Sequence, residues 1–305
     1  MESRQAKRPA KPQAEMQADT GSEEITLSTQ KTFTATTMGT IWAEIISHIG
    51  AVNVTVDPTL KSAEVTVRTA DDEGPMADAV NDTVMDERDS NGHNVMEIRV
   101  PKLPGGGGVH TSVQIGGNNF SSYSFSGSNT GVVMSGGDIF MGGRQIVSNG
   151  RVVAEAGTVV GGVGSGQIIV DVKLPAASSV RLNTTSADLT VLRGTLHTLD
   201  VRSVSGDVEA KSVHTLRGNT TSGDFEVDKV AARVDVTSVS GDIEIGEYSG
   251  SDFRANTVSG DVHVTATPAA TGSIDATTVS GDVVTRGASH LNVRANTVSG
   301  RKRNR

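Results

Sequence analysis

The sequence predicts an all-β protein, a parallel β-solenoid of roughly 19-residue coils with a small N-terminal β-rich cap that contains one helix. Three observations predict it. A Ser-Gly-Asp phrase recurs at a nearly constant period, apolar and charged residues alternate ahead of each copy, and aromatics are scarce (3%) while glycine is abundant (35 residues). A fixed period of this length is typical of stacked units, because each unit buries its apolar side only against its neighbours.

The repeated phrase is Ser-Gly-Asp followed by a β-branched or aromatic residue. Clean copies begin at Ser205, Ser222, Ser240, Ser259 and Ser280, a degenerate copy begins at Ser186, and a broken copy begins at Ser299. We interpret the phrase as a corner between two strands. Glycine suits such a corner because it tolerates a positive φ or a bulge where a strand bends.

The residues ahead of each corner alternate as in a half-buried strand. The position seven before the central residue is always apolar, and the next position is always charged. The apolar file is Val180, Leu199, Leu216, Val234, Phe253, Ile274 and Val293. The charged file is Arg181, Asp200, Arg217, Asp235, Arg254, Asp275 and Arg294. Each repeat is therefore strand, corner, strand and return, and we expect successive coils to stack at ~4.8 Å.

The chain divides into five predicted segments. They are a disordered tail (1–21), an N-terminal β-rich capping module (22–100), a Gly/Ser-rich loose segment (101–129), the β-solenoid (130–300) and a basic tail (301–305). The capping module holds the predicted helix, since Met76, Ala79 and Val80 follow Pro75 at helical spacing. From about residue 130 we expect irregular, shorter coils, with a flexible linker as the alternative.

Composition limits the classes of function. The net charge of −8 argues against nucleic acid as a partner, and the absence of cysteine excludes disulfides and thiolate metal sites. No apolar run is long enough to span a membrane, and the N-terminus lacks the apolar core of a signal peptide. We therefore expect a cytoplasmic location and no membrane span.

The aspartates of the corners form the candidate metal site. They are Asp207, Asp224, Asp242, Asp261 and Asp282. Two interpretations remain open. Each carboxylate accepts backbone N–H bonds at its corner, as Asp does in turns, or the file binds divalent cations through its oxygens. Motifs of nucleophilic, zinc-dependent or nucleotide-binding enzymes are absent, so we expect no catalytic residues and no cofactor.

Two further files have no settled role in the sequence. The position two before the glycine carries Val or Thr, as in Thr185, Val204 and Thr221, and alternation alone does not decide whether it faces in or out. If it faces out, it forms a flat stripe suited to adhesion. His197 and His214 occupy equivalent positions in neighbouring coils, but no third metal ligand accompanies them.

These residues carry a family resemblance. The tandem Ser-Gly-Asp-Val units, the Gly-rich stretch before them and the Leu174-Pro175-Ala176 bridge resemble a bacterial β-strand-repeat family labelled a "putative adhesin" domain, over roughly residues 25 to 300. The resemblance implies a parallel β-solenoid and supplies no catalytic residues.

The leading functional hypothesis is a non-enzymatic β-solenoid scaffold or adhesin-like binding protein, with a protein or polysaccharide as its partner. It rests on the repeated residues, which packing and corners explain. One alternative is a carbohydrate-active enzyme on the same fold. Another is a structural protein that self-associates through an open C-terminal coil, which only the basic residues from Arg301 to Arg305 would guard.

Overall fold

The structure, a computed structural model, describes residues 28–90, 92–103 and 167–304, together with the backbone of short strands between 113 and 152. The described residues contain one helix, α1 (Pro75–Asn81), and are otherwise strands and connections. The predicted all-β class is therefore confirmed.

Six strands accompany α1 in the N-terminal module. They are β1 (Thr29–Met38), β2 (Trp42–Ile46), β3 (Ala51–Val56), β4 (Ser62–Thr69), β5 (Val84–Ser90) and β6 (His93–Arg99). These strands are not a separate layer, because β2 and β3 pair in parallel with later strands of the solenoid. The module thus supplies the first coil as well as its cover.

In the described part of the glycine-rich stretch there are six short strands, β7 (Val113–Ile115), β8 (Asn118–Phe120), β9 (Val132–Ser135), β10 (Asp138–Met141), β11 (Arg144–Ser148) and β12 (Arg151–Val152). They pair antiparallel with their sequence neighbours, in two sheets of their own. The expectation of irregular, shorter coils from about residue 130 is therefore wrong at β9 to β12, which pair antiparallel. The physical reason is turn chemistry: each link between paired strands is two residues long, Gly-Gly or Asn-Gly, and such links close tight hairpins.

The stacked coils run from Ile169 onward. Their strands are β13 (Ile169–Leu174), β14 (Ser179–Asn183), β15 (Asp188–Arg193), β16 (Leu196–Arg202), β17 (Val208–Ala210), β18 (Val213–Asn219), β19 (Phe225–Thr237), β20 (Ile243–Tyr248), β21 (Asp252–Asn256), β22 (Val262–Ala266), β23 (Ser273–Thr277), β24 (Val283–Arg286), β25 (Asn292–Asn296) and β26 (Lys302–Asn304).

Each coil contributes one strand to each of two sheets. Sheet A has the order β5-β6-β2-β14-β16-β18-β19-β21-β23-β25. Sheet B has the order β1-β4-β13-β3-β15-β17-β19-β20-β22-β24-β26. The long strand β19 belongs to both. From β2 in sheet A and from β13 in sheet B, neighbours are parallel, so the predicted parallel β-solenoid is confirmed.

The predicted register holds along the stack. Leu199 pairs with Leu216, Leu216 with Val234, and Val234 with Phe253, and each of these side chains is fully buried. Phe253 also meets the ring of Tyr248 edge to face, with centroids 5.3 Å apart. Like residues therefore form files that run the length of the core.

Glycine is required at the corners for a different reason from the expected one. None of Gly206, Gly223, Gly241 or Gly260 has a positive φ. Instead, a Cβ on Gly241 would overlap the carbonyl oxygen of Gly223 in the preceding coil, and the same overlap recurs along the file. The phrase requires glycine because consecutive corners stack backbone on backbone.

The Ser or Thr hydroxyl groups at the corners form hydrogen bonds both within one corner and between the corners of neighbouring coils. The hydroxyl of Ser203 accepts the N–H of Gly206 at 2.7 Å, and in later coils Thr278 instead donates to the carbonyl of Gly260 at 2.9 Å. Both hydroxyls are buried. The Ser or Thr three residues before each glycine thereby satisfies polar groups that the corner would otherwise bury unpaired.

The core compensates in volume between the two sheets. Gly218 on sheet A faces Phe225 on sheet B, and a Cβ on Gly218 would lie within 2.6 Å of the Phe225 ring. The next coil has medium-sized residues at both equivalent positions, Val236 and Ile243. Large and small residues thus exchange places across a cross-section of nearly constant width.

The N-terminal end of the stack is closed by the module. Glu87 of β5 accepts four hydrogen bonds from the backbone and hydroxyls of Thr36 and Thr37 on β1, at 2.7–3.2 Å. Lys31 donates to the carbonyls of Asn81 and Thr83 at the end of α1. The edge strands of sheets A and B are therefore tied together over the first coil.

Candidate functional site

The outer face of sheet A carries a ladder of charged residues. Each member pairs in register with the next, in the order Glu97, Glu44, Arg181, Asp200, Arg217, Asp235, Arg254, Asp275 and Arg294. From Glu44 onward the sign alternates at every coil. Opposite charges on neighbouring strands attract, so the ladder favours the observed register.

A groove of about 810 Å³ lies on this face, beside the corners of the first coils. It extends from Ile46 and His48, next to β2, across β14, β16 and β18 to Asp235 and Thr237 of β19. The volume lies in the range of ligand sites, roughly 300–1,000 Å³. The groove therefore crosses five neighbouring strands and is shaped by the stacking itself.

The two carboxylates in the groove are already engaged. Asp200 is buried, and its Oδ2 accepts a hydrogen bond from Nε of Arg181 at 3.0 Å. Asp235 lies 3.5 Å from Nη2 of Arg233. Arg181 is held further by Glu44 at 3.7 Å and lies over the ring of Trp42, 5.3 Å from its centroid.

Two other arginines in the groove have no partner among the described residues. Arg202 and Arg217 are exposed and line the groove, and neither forms an ion pair or a side-chain hydrogen bond with any residue that the structure describes. They lie on neighbouring strands, β16 and β18. Asn183 and Asn219, in the file that contains Arg202, likewise have no side-chain partner among the described residues.

The aspartates of the corners lie elsewhere, on the sheet B side. Oδ1 of each aspartate accepts the backbone N–H of the equivalent residue in the next coil, at 2.7–3.1 Å, from Asp188 to Arg301. The bond is therefore between coils rather than within one corner. Among the residues that the structure describes, no group of three or more metal-ligating side chains is found. The cation interpretation of Asp207, Asp224, Asp242, Asp261 and Asp282 thus stays a prediction.

Glutamates extend the acidic surface of sheet B. Glu209 pairs with Glu226, and Glu226 with Glu244, and all three side chains are exposed. Like charges on directly opposite positions repel. Lys211 relieves part of this, since its Nζ lies 3.5 Å from Glu209 and 3.2 Å from Asp228.

The Val/Thr file points outward. Val204, Val239, Val258 and Val279 are 43–50% exposed at the corners, and Val204 also lines the groove. The backbone bends at this position and the next, directly after the buried hydroxyl residue, and the side chain is turned to solvent. His197 and His214 are neighbours as expected, with ring centroids 5.2 Å apart.

The sequence alone did not predict the groove, although some of its residues belong to files that the sequence does reveal. Arg217 and Asp235 were recognised only as the charged side of a strand, and Arg202 was not singled out. The usable signal is the file two residues after the charged one, which reads Asn183, Arg202 and Asn219 along adjacent coils.

The fold and this face define a class: a two-sided parallel β-solenoid with a polar groove on one sheet. The chain belongs to the Toastrack DUF4097 family, whose model matches residues 59–303. No curated protein matches the sequence. In the part of the chain that the structure describes, no helix is long and apolar enough to cross a membrane.

Several solved structures are similar to the chain. One is a "putative adhesin" from Bacteroides fragilis, with 14% identity and a TM-score of 0.47, covering 90% of this chain and 97% of that one. Another is a "putative lipid binding protein" from Parabacteroides distasonis, with 13% identity and a TM-score of 0.42, covering 90% and 96%. A "putative adhesin" from Parabacteroides merdae has 11% identity and a TM-score of 0.40, covering 91% and 96%.

Proposed function

We propose that this protein is a non-enzymatic binding scaffold, and that its ligand, a protein or a polysaccharide, lies in the groove of sheet A. One observation carries the proposal. The groove collects polar side chains from successive coils, and Arg202, Arg217, Asn183 and Asn219 are left without partners among the described residues. The corner aspartates and most charges near the start of the ladder hold coils together, whereas these four side chains form no contact of that kind among the described residues.

The proposal is tested by obstructing the groove. Asn219→Trp places a large ring between Arg202 and Thr237, whereas Glu226→Trp places the same ring on the outer face of sheet B. Both positions are exposed and lie on the same coil, Asn219 on sheet A and Glu226 on sheet B. We expect glycan and peptide arrays to yield a ligand for the parent chain, which Asn219→Trp loses and Glu226→Trp retains.

The proposal fails if no ligand is found, or if Glu226→Trp abolishes binding while Asn219→Trp does not. Turnover of a glycan by the parent chain would instead support a carbohydrate-active enzyme. Self-association through the last coil is a separate prediction. Light scattering after removal of residues 301–305 tests it, and an unchanged monomer would contradict it. The absence of a cofactor also stays a prediction, as does a cytoplasmic location.

A further inference from the structure

We propose that the groove of sheet A is selective for an acidic oligosaccharide, one that bears carboxylates on its sugar rings. This inference rests on the proposed function, since it names the class of ligand for the same groove. It follows from which charges in the groove are already neutralised, from the neutral polar groups beside them, and from the geometry of the stack.

The charge left unpaired in the groove is positive. Asp200 accepts a hydrogen bond from Arg181, and Asp235 lies 3.5 Å from Nη2 of Arg233, so each carboxylate in the groove has an arginine partner. Both arginines are shared, Arg181 with Glu44 and Arg233 with Asp252. Arg202 and Arg217 have no such partner among the described residues. This holds in a chain whose net charge is −8. An anion entering the groove therefore meets two guanidinium groups that need not first break an ion pair.

Guanidinium groups favour planar oxyanions. Arginine offers paired N–H donors that match a carboxylate, and these charge-assisted bonds are stronger than neutral ones. The Cα atoms of Arg202 and Arg217 are separated by one strand spacing, about 4.8 Å, and by two residues along the strand, about 6.6 Å. Two anionic groups carried on one chain can therefore be bound together.

The neutral groups beside the arginines favour a sugar over a peptide. Asn183, Asn219 and Thr237 line the same groove, and Thr185 lies within 3.3 Å of Nδ1 of His48. Amides and hydroxyls are both donors and acceptors, so they suit the hydroxyl groups of a pyranose. A pyranose offers several such hydroxyl groups per ring, whereas an acidic peptide offers one backbone N–H and one C=O per residue.

Isothermal titration calorimetry on the full chain tests the inference with three probes. They are oligogalacturonate, the same oligomer with methyl-esterified carboxyls, and an oligoglutamate peptide of similar charge. We expect oligogalacturonate to bind, with an affinity that falls as salt is added. The methyl ester keeps every ring hydroxyl but loses the charge, so we expect its binding to be weaker by at least about tenfold.

Variants locate the interaction. Arg202→Gln and Arg217→Gln should each weaken oligogalacturonate binding by about tenfold or more, since each removes a charge-assisted bond. Arg294→Gln is the matched control. Arg294 belongs to the same ladder, is exposed and has no ion pair among the described residues, but it lies beyond the groove. We expect this variant to bind within about twofold of the parent, because it removes only distant charge.

Each contrary result has a distinct meaning. Failure of the parent chain to bind oligogalacturonate would overturn the inference, and a ligand found by the arrays in the same groove would leave the proposed function standing. Equal binding of the methyl ester would overturn the selectivity for acid. Equal binding of oligoglutamate would overturn the assignment to a sugar. Equal losses in Arg294→Gln and Arg217→Gln would show attraction by charge anywhere on the face and would also overturn it.

Discussion

The two outer faces of the solenoid have the same coil spacing but opposite charge patterns. On sheet A, the charges alternate from Glu44 to Arg294, so neighbouring coils attract. On sheet B, Glu209, Glu226 and Glu244 are consecutive, so neighbouring coils repel. Stacking forces each side chain against its equivalent in the next coil, and each face must therefore manage its charges along the stack.

The faces manage them differently, and this separates stability from binding. On sheet B, Oδ1 of each corner aspartate accepts the backbone N–H of the equivalent residue in the next coil, which engages one oxygen of each carboxylate. Sheet A neutralises most of its charges in pairs and leaves Arg202 and Arg217 in a groove. The lesson is that polar side chains which form no contact between coils, whether or not they belong to a repeated file, indicate the site.

The largest effect should come from the core that both faces share. Phe253 is fully buried and packs against Tyr248. Phe253→Ala should lower the free energy of unfolding by about 3–5 kcal/mol, through lost burial and the cavity left behind. Denaturant titration measures it. A variant that melts with the parent would show that the ring does not fill the core.

A smaller loss of stability should follow from overpacking the core between the two sheets. Gly218→Ala on sheet A forces a methyl group against the Phe225 ring from sheet B. We expect a loss of about 1–3 kcal/mol, typical of overpacking. Phe225→Val in the same chain should recover much of it, because the smaller residue gives room. Additive losses in the double variant would argue that the two residues do not meet.

Neutralising one acid should have opposite signs on the two faces. Asp200→Asn on sheet A weakens the bond to Arg181 and should cost about 1 kcal/mol. Glu226→Gln on sheet B removes a like charge between two glutamates and should stabilise by a few tenths of a kcal/mol, about 0.3. Thermal melts at low salt compare them. The same sign for both would contradict the charge patterns described for the faces.

The smallest effect concerns pH at the capped end of sheet A. The hydrogen bond from Arg88 lowers the pKa of Glu97 below its ordinary value and outweighs burial, which raises it, and the charges of Arg88 and Arg99 act in the same direction as the bond. The stabilisation is therefore present above the unfolded pKa, about 4.3, and is lost as pH falls through the folded value.

Glu97→Gln should consequently lose less stability than the parent between neutral and acidic pH. Unfolding titrations at several pH values measure the slope, with Glu226→Gln as the control on the other face. If the free energy of unfolding of Glu97→Gln fell with pH as steeply as that of the parent, the ionised Glu97 carboxylate would not stabilise the folded state.

Much of the fold could be predicted because the repeat states it directly. The buried file from Leu199 to Phe253 and the charged file beside it follow from alternation alone. The outward orientation of Val239 could not be decided, because it depends on a bend at Val239 and Ser240, directly after the buried Ser238. The requirement for glycine at position 241 could not be predicted either, because it comes from the carbonyl oxygen of Gly223 in the preceding coil, which a Cβ would overlap.

The candidate site was less accessible to sequence reasoning. Whether Arg202 is free and Asp200 engaged depends on side-chain geometry between coils, which periodicity does not contain. The hairpins between residues 113 and 152 were within reach, because their two-residue Gly-Gly and Asn-Gly links are local signals. There the weak echo of the repeat was given more weight than the turn chemistry.

Disulfide trapping tests the stacking of coils most directly, since the chain has no cysteine of its own. Val239 and Val258 are exposed, and the N–H of Val258 donates to the carbonyl of Val239 at 3.1 Å. Val239→Cys with Val258→Cys places two thiols about one coil apart, ~4.8 Å between Cα atoms, within reach of a disulfide. Val239→Cys with Val279→Cys places them two coils apart, ~9.6 Å, beyond reach. The account predicts an intramolecular disulfide in the first variant alone, and equal trapping in both, or trapping only in the second, would contradict it.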